Sequence, residues 1–318
     1  DRRAEREMLA KGGPARLFTL AVSEGGTGPL AYVSNTDARE ADLSLREGAG
    51  LQTVEGVFRD LGGRGIDCTV RVSARRGDPC LRWRVTQVHL PEQLVLEQVQ
   101  FPIFVLRTPP GEGPDAAVIG HTKGGVHPGP SAWKTDEGIS ASQPGTMAAQ
   151  FACYYDAVGG FYWAAEDNRG YPKGTWMRRT GEGLEVGWNQ SCFARGTFRM
   201  DYDIATTTFA SSEPGAPTDW RDAADIYRAW AGKQPWCARR FEDRSDVPAW
   251  LKSGPAMVRF TRDWLARADT IVRWLKVYWL GRFRPHTPLI VAYWGWEKVA
   301  YWVTPDYFPP YGGEAGLR

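Results

Sequence analysis

The sequence predicts a protein of two different parts, a β-sandwich domain followed by the truncated start of a (β/α)8 barrel. Two observations support this prediction. From Arg16 to Phe209, short runs of β-branched and aromatic residues end at Gly, Pro or Asp clusters, with no helical pattern between them. After Pro255 the pattern changes to strand, helix, strand. We therefore expect a β-sandwich over residues 1–217, a connecting helix and linker over 218–250, and a β-α-β segment over 251–318.

The strands of the first part are predicted from apolar residues that alternate with polar ones. In the run from Leu81 to Val88, for example, Leu81, Trp83 and Val85 share one face. Leu94 to Leu106 is expected to form two strands, because Pro102 interrupts the run. The other predicted strands are 16–23, 67–73, 147–155, 160–166, 184–188 and 201–209.

A single amphipathic helix is predicted from Thr218 to Ala231, with Thr218 as its N-cap and Gly232 as its stop. Its apolar residues recur at helical spacing and are expected to face the protein. They are Trp220, Ala223, Ala224, Tyr227 and Trp230. Residues 233–250 are charged, contain two prolines and indicate a linker.

The last part predicts a strand at Ala256–Phe260, a helix at Asp263–Tyr278 and a strand at Pro288–Trp294. Such a unit favours a parallel pair of strands. A complete (β/α)8 barrel needs about 250 residues, and only residues 256–318 remain here. We expect a chain truncated within a barrel; the alternative is a small appendage docked on the sandwich.

Composition excludes several classes of function. The formal net charge is only +2, from 39 Lys and Arg against 37 Asp and Glu, which gives no electrostatic basis for binding nucleic acid. No apolar run reaches the roughly 20 residues of a membrane-spanning helix. The five Cys and four His residues are scattered, so neither a metal site nor a cofactor is predicted.

The charged segment Asp1–Lys11 shows no signal peptide, which leaves the compartment open between cytoplasmic and extracytoplasmic.

Aromatic residues are abundant, with 15 Trp and 12 Tyr. A flat apolar ring with one polar atom suits the C–H face and the hydroxyl groups of a sugar. The alternative for any one of these tryptophans is that it fills a large core.

Three segments carry a resemblance to a known family. They are Gln150–Asp167, a paired-strand element; Asp219–Trp236, a joining helix; and Trp294–Gly313, with Trp-Gly-Trp-Glu and Asp-Tyr-Phe-Pro-Pro-Tyr-Gly-Gly. Together they resemble an uncharacterised, glycoside-hydrolase-like bacterial family related to α-galactosidases and endo-α-N-acetylgalactosaminidases. The resemblance implies a galactose-mutarotase-like supersandwich in front of a (β/α)8 barrel. It also implies catalytic carboxylates on later barrel strands, outside this chain.

The predicted sugar-binding residues follow the second strand of the β-α-β segment, on the face where barrels place their sites. Because side chains alternate along a strand, at most one of the two tryptophans there is expected to face the site. The alternative is a rigid, proline-rich structural loop. The candidates are Trp294, Trp296, Glu297, Asp306 and Tyr307.

A second set of candidates lies in the turn after Glu166. Asp167 is a candidate for binding a sugar hydroxyl, and Lys173 is a candidate for pairing with it. The alternative is ordinary turn chemistry, since Asp, Asn and Gly favour turns.

Three functions remain open. The first is a glycoside hydrolase that acts on oligo- or polysaccharide by a two-carboxylate mechanism. The second is a non-catalytic carbohydrate-binding sandwich. The third is a polysaccharide lyase or epimerase, for which His121, Lys123 and His127 are the candidate bases.

Overall fold

The protein is described by a computed structural model that covers residues 7–11, 16–111, 113–279, 281–282, 287–298, 307–310 and 313–317. The chain divides into two compact units, Asp1–Pro235 and Trp236–Arg318. The sandwich and the parallel strand pair lie in different units, and each is described by itself.

The first unit is built from antiparallel strands, which agrees with the predicted β-sandwich. Its strands are β1 (Thr19–Glu24), β2 (Ala31–Ser34), β3 (Glu40–Gly48), β4 (Leu51–Arg59), β5 (Asp67–Arg75), β6 (Leu81–His89), β7 (Leu94–Leu106), β8 (Asp115–His121), β9 (Val126–Pro128), β10 (Gly138–Gln143), β11 (Met147–Asp156), β12 (Gly160–Ala165), β13 (Lys173–Arg179), β14 (Leu184–Ala194), β15 (Thr197–Phe198) and β16 (Ile204–Phe209).

These strands form two sheets. The six-stranded sheet has the order β10-β13-β14-β7-β1-β2, and the ten-stranded sheet has the order β3-β4-β5-β6-β16-β12-β11-β8-β9, with β15 beside β6. The Gln150–Asp167 segment contains the β11–β12 hairpin, in which Phe151 pairs with Ala164. The paired-strand element predicted from that segment is therefore present.

The main core lies between the two sheets. It includes Leu20 and Val186 from the smaller sheet and Val85 and Trp163 from the larger one. Trp163 links the sheets directly, because its indole N–H donates to Thr175 Oγ1 at 2.9 Å. Burial of such apolar surface supplies the main stabilisation of a sandwich.

A helix covers the other face of the larger sheet. This helix, α1 (Trp220–Ala231), packs Ala223 into a second apolar cluster with Phe151 and Tyr162. The rings of Phe151 and Tyr227 stack with centroids 5.2 Å apart. The predicted apolar face of the helix is thus confirmed at these positions.

The N-cap of α1 differs from the prediction. The cap is Asp219, whose carboxylate accepts the N–H of Arg221 at 2.6 Å. Asp222 completes a capping box by accepting the Asp219 N–H at 2.9 Å. Thr218 instead accepts the N–H of Ser211 through its side-chain oxygen at 3.0 Å. An ionised carboxylate at the N-terminus also interacts favourably with the helix dipole.

The expected break of a strand at Pro102 was wrong, because β7 runs without interruption through this residue. On the neighbouring strand β14, Gly187 pairs with Ile103 and Asn189 pairs with Gln100, so Phe101 and Pro102 form a bulge opposite Trp188. Proline lacks the N–H of a regular ladder but is tolerated at a bulge.

The second unit contains a parallel pair of strands, β17 (Ala256–Thr261) and β18 (Leu289–Trp294), in the register Ala256↔Leu289 to Thr261↔Trp294. The predicted parallel pairing is therefore present. The connecting segment is a 3-10 turn at Arg262–Arg267 followed by α3 (Ala268–Trp274) and a π turn at Leu275–Trp279. Two short helices, α2 (Ala249–Lys252) and α4 (Gly313–Leu317), also lie in this unit. A (β/α)8 barrel is not seen among the described residues.

Among the described helices, none is long and apolar enough to cross a membrane.

Candidate functional site

The first candidate site lies at the carboxyl end of β18. In a parallel pair the carboxyl ends of both strands meet at one edge, so the segments after Thr261 and Trp294 start side by side. Gly295 turns the chain there with a φ of +73°, a conformation that favours glycine. Trp296 and Glu297 follow this turn directly.

Trp296 forms an aromatic cluster with residues that come later in the chain. Its ring stacks on Tyr307 with centroids 6.2 Å apart and meets Phe308 edge-on at 5.7 Å. The Lys298 N–H donates to the Tyr307 carbonyl oxygen at 3.4 Å. Tyr307 and Phe308 are 41% and 72% exposed. The cluster therefore presents aromatic surface to solvent beside the end of β18.

Glu297 is the polar member of this site. The residue is only 6% exposed, and within the described part of the chain its Oε2 atom has no hydrogen-bond donor. A buried carboxylate oxygen without a donor is unfavourable. A hydroxyl group of a ligand, or water, would supply the missing donor.

Trp294 is placed differently from Trp296. It is 42% exposed, and the Arg259 guanidinium lies 4.4 Å from its ring centroid. This cation–π contact occupies one face of the indole. Asp306, the remaining candidate after β18, lies outside the described residues.

Asp167 and Lys173 form a buried ion pair in the turn between β12 and β13. Lys173 Nζ lies 2.6 Å from Asp167 Oδ2, and the side chains are 0% and 1% exposed. The other oxygen, Oδ1, accepts the N–H groups of Arg169 and Gly170, and Oδ2 also accepts the N–H of Tyr171.

The ammonium group of this pair is equally enclosed. Lys173 Nζ also donates to Gln143 Oε1 at 3.2 Å and to the Tyr171 carbonyl oxygen at 3.0 Å. Burial lowers the pKa of Lys173, and Asp167 opposes that shift. The structure brings the two candidates together but leaves neither open to a ligand, so their contacts order the turn.

A second candidate site is a cavity of about 1010 Å³ in the sandwich unit, between α1 and the larger sheet. Trp230 contributes aromatic surface to its wall, and Tyr162 lies behind that wall with only 2% of its surface exposed. Arg82 lies on the same wall and holds Glu166 in a two-pronged contact, with Nε–Oε2 and Nη2–Oε1 distances of 2.9 and 3.1 Å. Asp78 also binds Arg82.

Sequence reasoning did not identify this cavity. Arg82 lies on the polar side of a correctly predicted strand, which resembles any solvated face. Trp230 was assigned to the apolar face of the helix, and only the neighbouring strands show that it lines a cavity.

The remaining polar candidates, His121, Lys123 and His127, make local contacts. The Lys123 N–H donates to His121 Nδ1 at 3.0 Å, and His127 meets the Trp133 ring edge-on at 6.4 Å. Burial raises the pKa of Cys80 to about 11 and that of Cys192 to about 12, which leaves both thiols protonated near neutral pH. No group of three or more His, Cys, Asp or Glu residues in the described ranges is arranged to hold a metal.

Comparison with known proteins supports the resemblance to a glycoside-hydrolase-like family of unknown function. Residues 203–318 match a domain of unknown function, DUF6259. The fold is similar to that of an α-N-acetylgalactosaminidase, NagBb from Bifidobacterium bifidum, bound to GalNAc, with a TM-score of 0.63 and 15% identity over 96% of this chain and 51% of that chain. No protein of curated function matches the sequence.

Two further structures are similar at lower scores. The complex of NagBb with Gal-NHAc-DNJ gives a TM-score of 0.60 at 15% identity, over 97% of this chain and 51% of that chain. An α-galactosidase from Lactobacillus brevis gives 0.46 at 11% identity, over 85% and 38% of the two chains. The chain thus spans about half the length of NagBb, and at 15% identity the likeness to NagBb establishes the fold alone.

Proposed function

We propose that this chain is part of a glycoside hydrolase that acts on oligo- or polysaccharide, and that Trp296, Glu297 and Tyr307 bind a sugar. The observation that carries the proposal is that Glu297 Oε2 is buried and has no hydrogen-bond donor among the described residues. Glu297 follows Trp296 directly in the chain. A sugar ring offers hydroxyl donors for the carboxylate and a C–H face for the aromatic rings. Similarity of fold to an α-N-acetylgalactosaminidase supports a carbohydrate ligand.

The proposed chemistry assigns binding, and no catalytic step, to these residues. Cleavage of a glycosidic bond commonly uses two carboxylates on either side of it. We propose that β17 and β18 open a (β/α)8 barrel whose later strands, outside this chain, carry that pair. Glu297 would then hold a hydroxyl group at the barrel mouth, where sites of this fold are found.

The substitution Trp296→Ala is expected to raise the dissociation constant for N-acetylgalactosamine about tenfold, because it removes the stacking surface. Glu297→Gln should have a smaller effect, since an amide oxygen still accepts a hydroxyl hydrogen. Isothermal titration calorimetry measures both constants. Trp250→Ala is the matched control, since Trp250 is an exposed tryptophan (50%) of the same unit. Unchanged affinity in Trp296→Ala, with the thermal transition retained, would contradict the site.

A second candidate function is a non-catalytic sugar-binding sandwich. The cavity beside α1 favours it, because Trp230 and the Arg82–Glu166 pair line the same cavity. Aromatic platforms combined with charge-assisted hydrogen bonds suit polyhydroxylated ligands.

This alternative makes a different prediction. If the sandwich grips the glycan, Trp230→Ala should weaken binding of an α-galactoside oligosaccharide about fivefold, while Trp296→Ala leaves it unchanged. The exposed Tyr32 (61%) of the same unit provides the control Tyr32→Ala. Calorimetry with both variants separates the two sites; an affinity that Trp230→Ala does not change removes the sandwich cavity from consideration.

A further inference from the structure

Strand β3 leaves an unpaired edge on the ten-stranded sheet. Within the described ranges it pairs only with β4, and all nine of its residues are exposed. Leu43 and Leu45 are 75% and 62% exposed. An edge of this length with free backbone N–H and C=O groups and exposed leucines is a template for another strand.

The side chains of β3 are self-complementary about its central residue, Ser44. One step from Ser44 in each direction lie Leu43 and Leu45, and two steps away lie Asp42 and Arg46. Because side chains alternate, the two leucines share one face of the strand while Asp42, Ser44 and Arg46 share the other.

We propose that β3 pairs antiparallel with β3 of a second copy of this chain, in the register centred on Ser44. In that register the strands Glu40–Gly48 overlap completely. Asp42 lies opposite Arg46 of the second copy, Leu43 lies opposite Leu45, and two-fold symmetry repeats both pairs. A two-fold interface requires a surface patch that complements itself, and opposite-charge and apolar cross-strand pairs stabilise sheets.

Ion pairs within one chain already hold charged side chains of β3 against β4. Asp42 binds Arg59, and Arg46 lies 3.6 Å from Glu55, both on β4. Across the interface these pairs join into rows of alternating charge. On the other face, Leu43 lies over Gly56, where an added Cβ would come within 3.1 Å of Leu43 Cδ2.

The same geometry extends the apolar surface beyond the strand itself. Leu45 pairs with Val54, which is 41% exposed. Dimerisation would cover the leucines and the free backbone groups of β3 together, which removes the edge from solvent.

Charge exchange tests this register. The variants Asp42→Arg and Arg46→Asp each place like charges opposite one another across the dimer, and each should raise the dimer dissociation constant at least about tenfold. The double variant restores opposite charges across the interface. Within its own chain, however, the new Arg at position 42 lies beside Arg59 and the new Asp at position 46 lies beside Glu55. Its dissociation constant should return to within about threefold of the unmodified protein.

Analytical ultracentrifugation over a wide range of concentrations measures these constants on the purified chain. The control is Asp225→Arg with Arg228→Asp, which exchanges the charges of an exposed ion pair on α1 and should not change dimerisation. A monomer at the highest concentration overturns the proposal. A dimer that both single variants retain, or that the double variant fails to restore, also overturns it.

Discussion

Replacing Asp167 with Asn is expected to lower the free energy of unfolding by about 3–5 kcal/mol, the usual cost of removing one partner of a buried ion pair. The Lys173 ammonium is fully enclosed and would lose the carboxylate that balances its charge. Its remaining acceptors are the neutral oxygens of Gln143 and Tyr171, which compensate a buried positive charge poorly.

Replacing Lys173 instead of Asp167 should lower the free energy of unfolding by less. In Lys173→Met, Asp167 still accepts three backbone N–H groups, from residues 169, 170 and 171. We expect the double variant Asp167→Asn with Lys173→Met to be more stable than Asp167→Asn alone, because no unpaired charge remains buried.

Urea unfolding followed by circular dichroism measures these changes. Arg228→Met, which breaks an exposed ion pair on α1 (80% and 62% exposed side chains), should leave the free energy of unfolding unchanged within error. Equal stability losses in Asp167→Asn and in this control would show that the buried pair does not stabilise the turn.

Replacing Trp163 with Ala is expected to destabilise the sandwich by about 3–5 kcal/mol, as for other buried tryptophans. Trp163 is 1% exposed in the core between the sheets. Its loss leaves a cavity and removes the indole donor to Thr175. Thr175 in turn donates to the Gly187 carbonyl oxygen at 2.7 Å, so the chain of hydrogen bonds crosses from the larger sheet to two strands of the smaller one.

Two further substitutions separate the stability due to the buried volume of Trp163 from that due to its hydrogen bond. Trp163→Phe keeps most of the apolar volume and should cost less than Trp163→Ala. Thr175→Val removes the acceptor while preserving shape, and about 1–3 kcal/mol is expected for the indole N–H left without a partner. Tyr32→Ala, at a 61% exposed aromatic residue, is the control. A loss in Tyr32→Ala as large as in Trp163→Ala would contradict the assignment of Trp163 to the core.

Local sequence pattern was sufficient for some of the strands whose burial repeats along the chain, but it missed β4, whose burial also alternates, and β8. β5 and β6 were predicted almost to the residue, because they alternate between a core face and a polar face. Helix α1 and the strands β17 and β18 were also predicted, since their apolar residues follow the period of the element.

β3 was not predicted, although Ala41, Leu43 and Leu45 alternate with polar residues in the sequence. All nine of its residues are exposed in the structure. Its pairing with β4 and its place at the edge of a sheet come from contacts with the rest of the sandwich.

The sequence by itself predicted the β-rich first part, the helix that follows it, the parallel strand pair, and the residue classes suited to binding a sugar. Only the tertiary structure decided which polar groups are enclosed. Asp167 and Lys173 are six positions apart, and sequence suggested that they pair, but the packing of distant strands removes them from solvent. Glu297 was already a candidate from its position after the second strand, and the structure adds that its surroundings bury one oxygen without providing a donor among the described residues. Burial depends on neighbours that are remote along the chain, and a local pattern does not contain them.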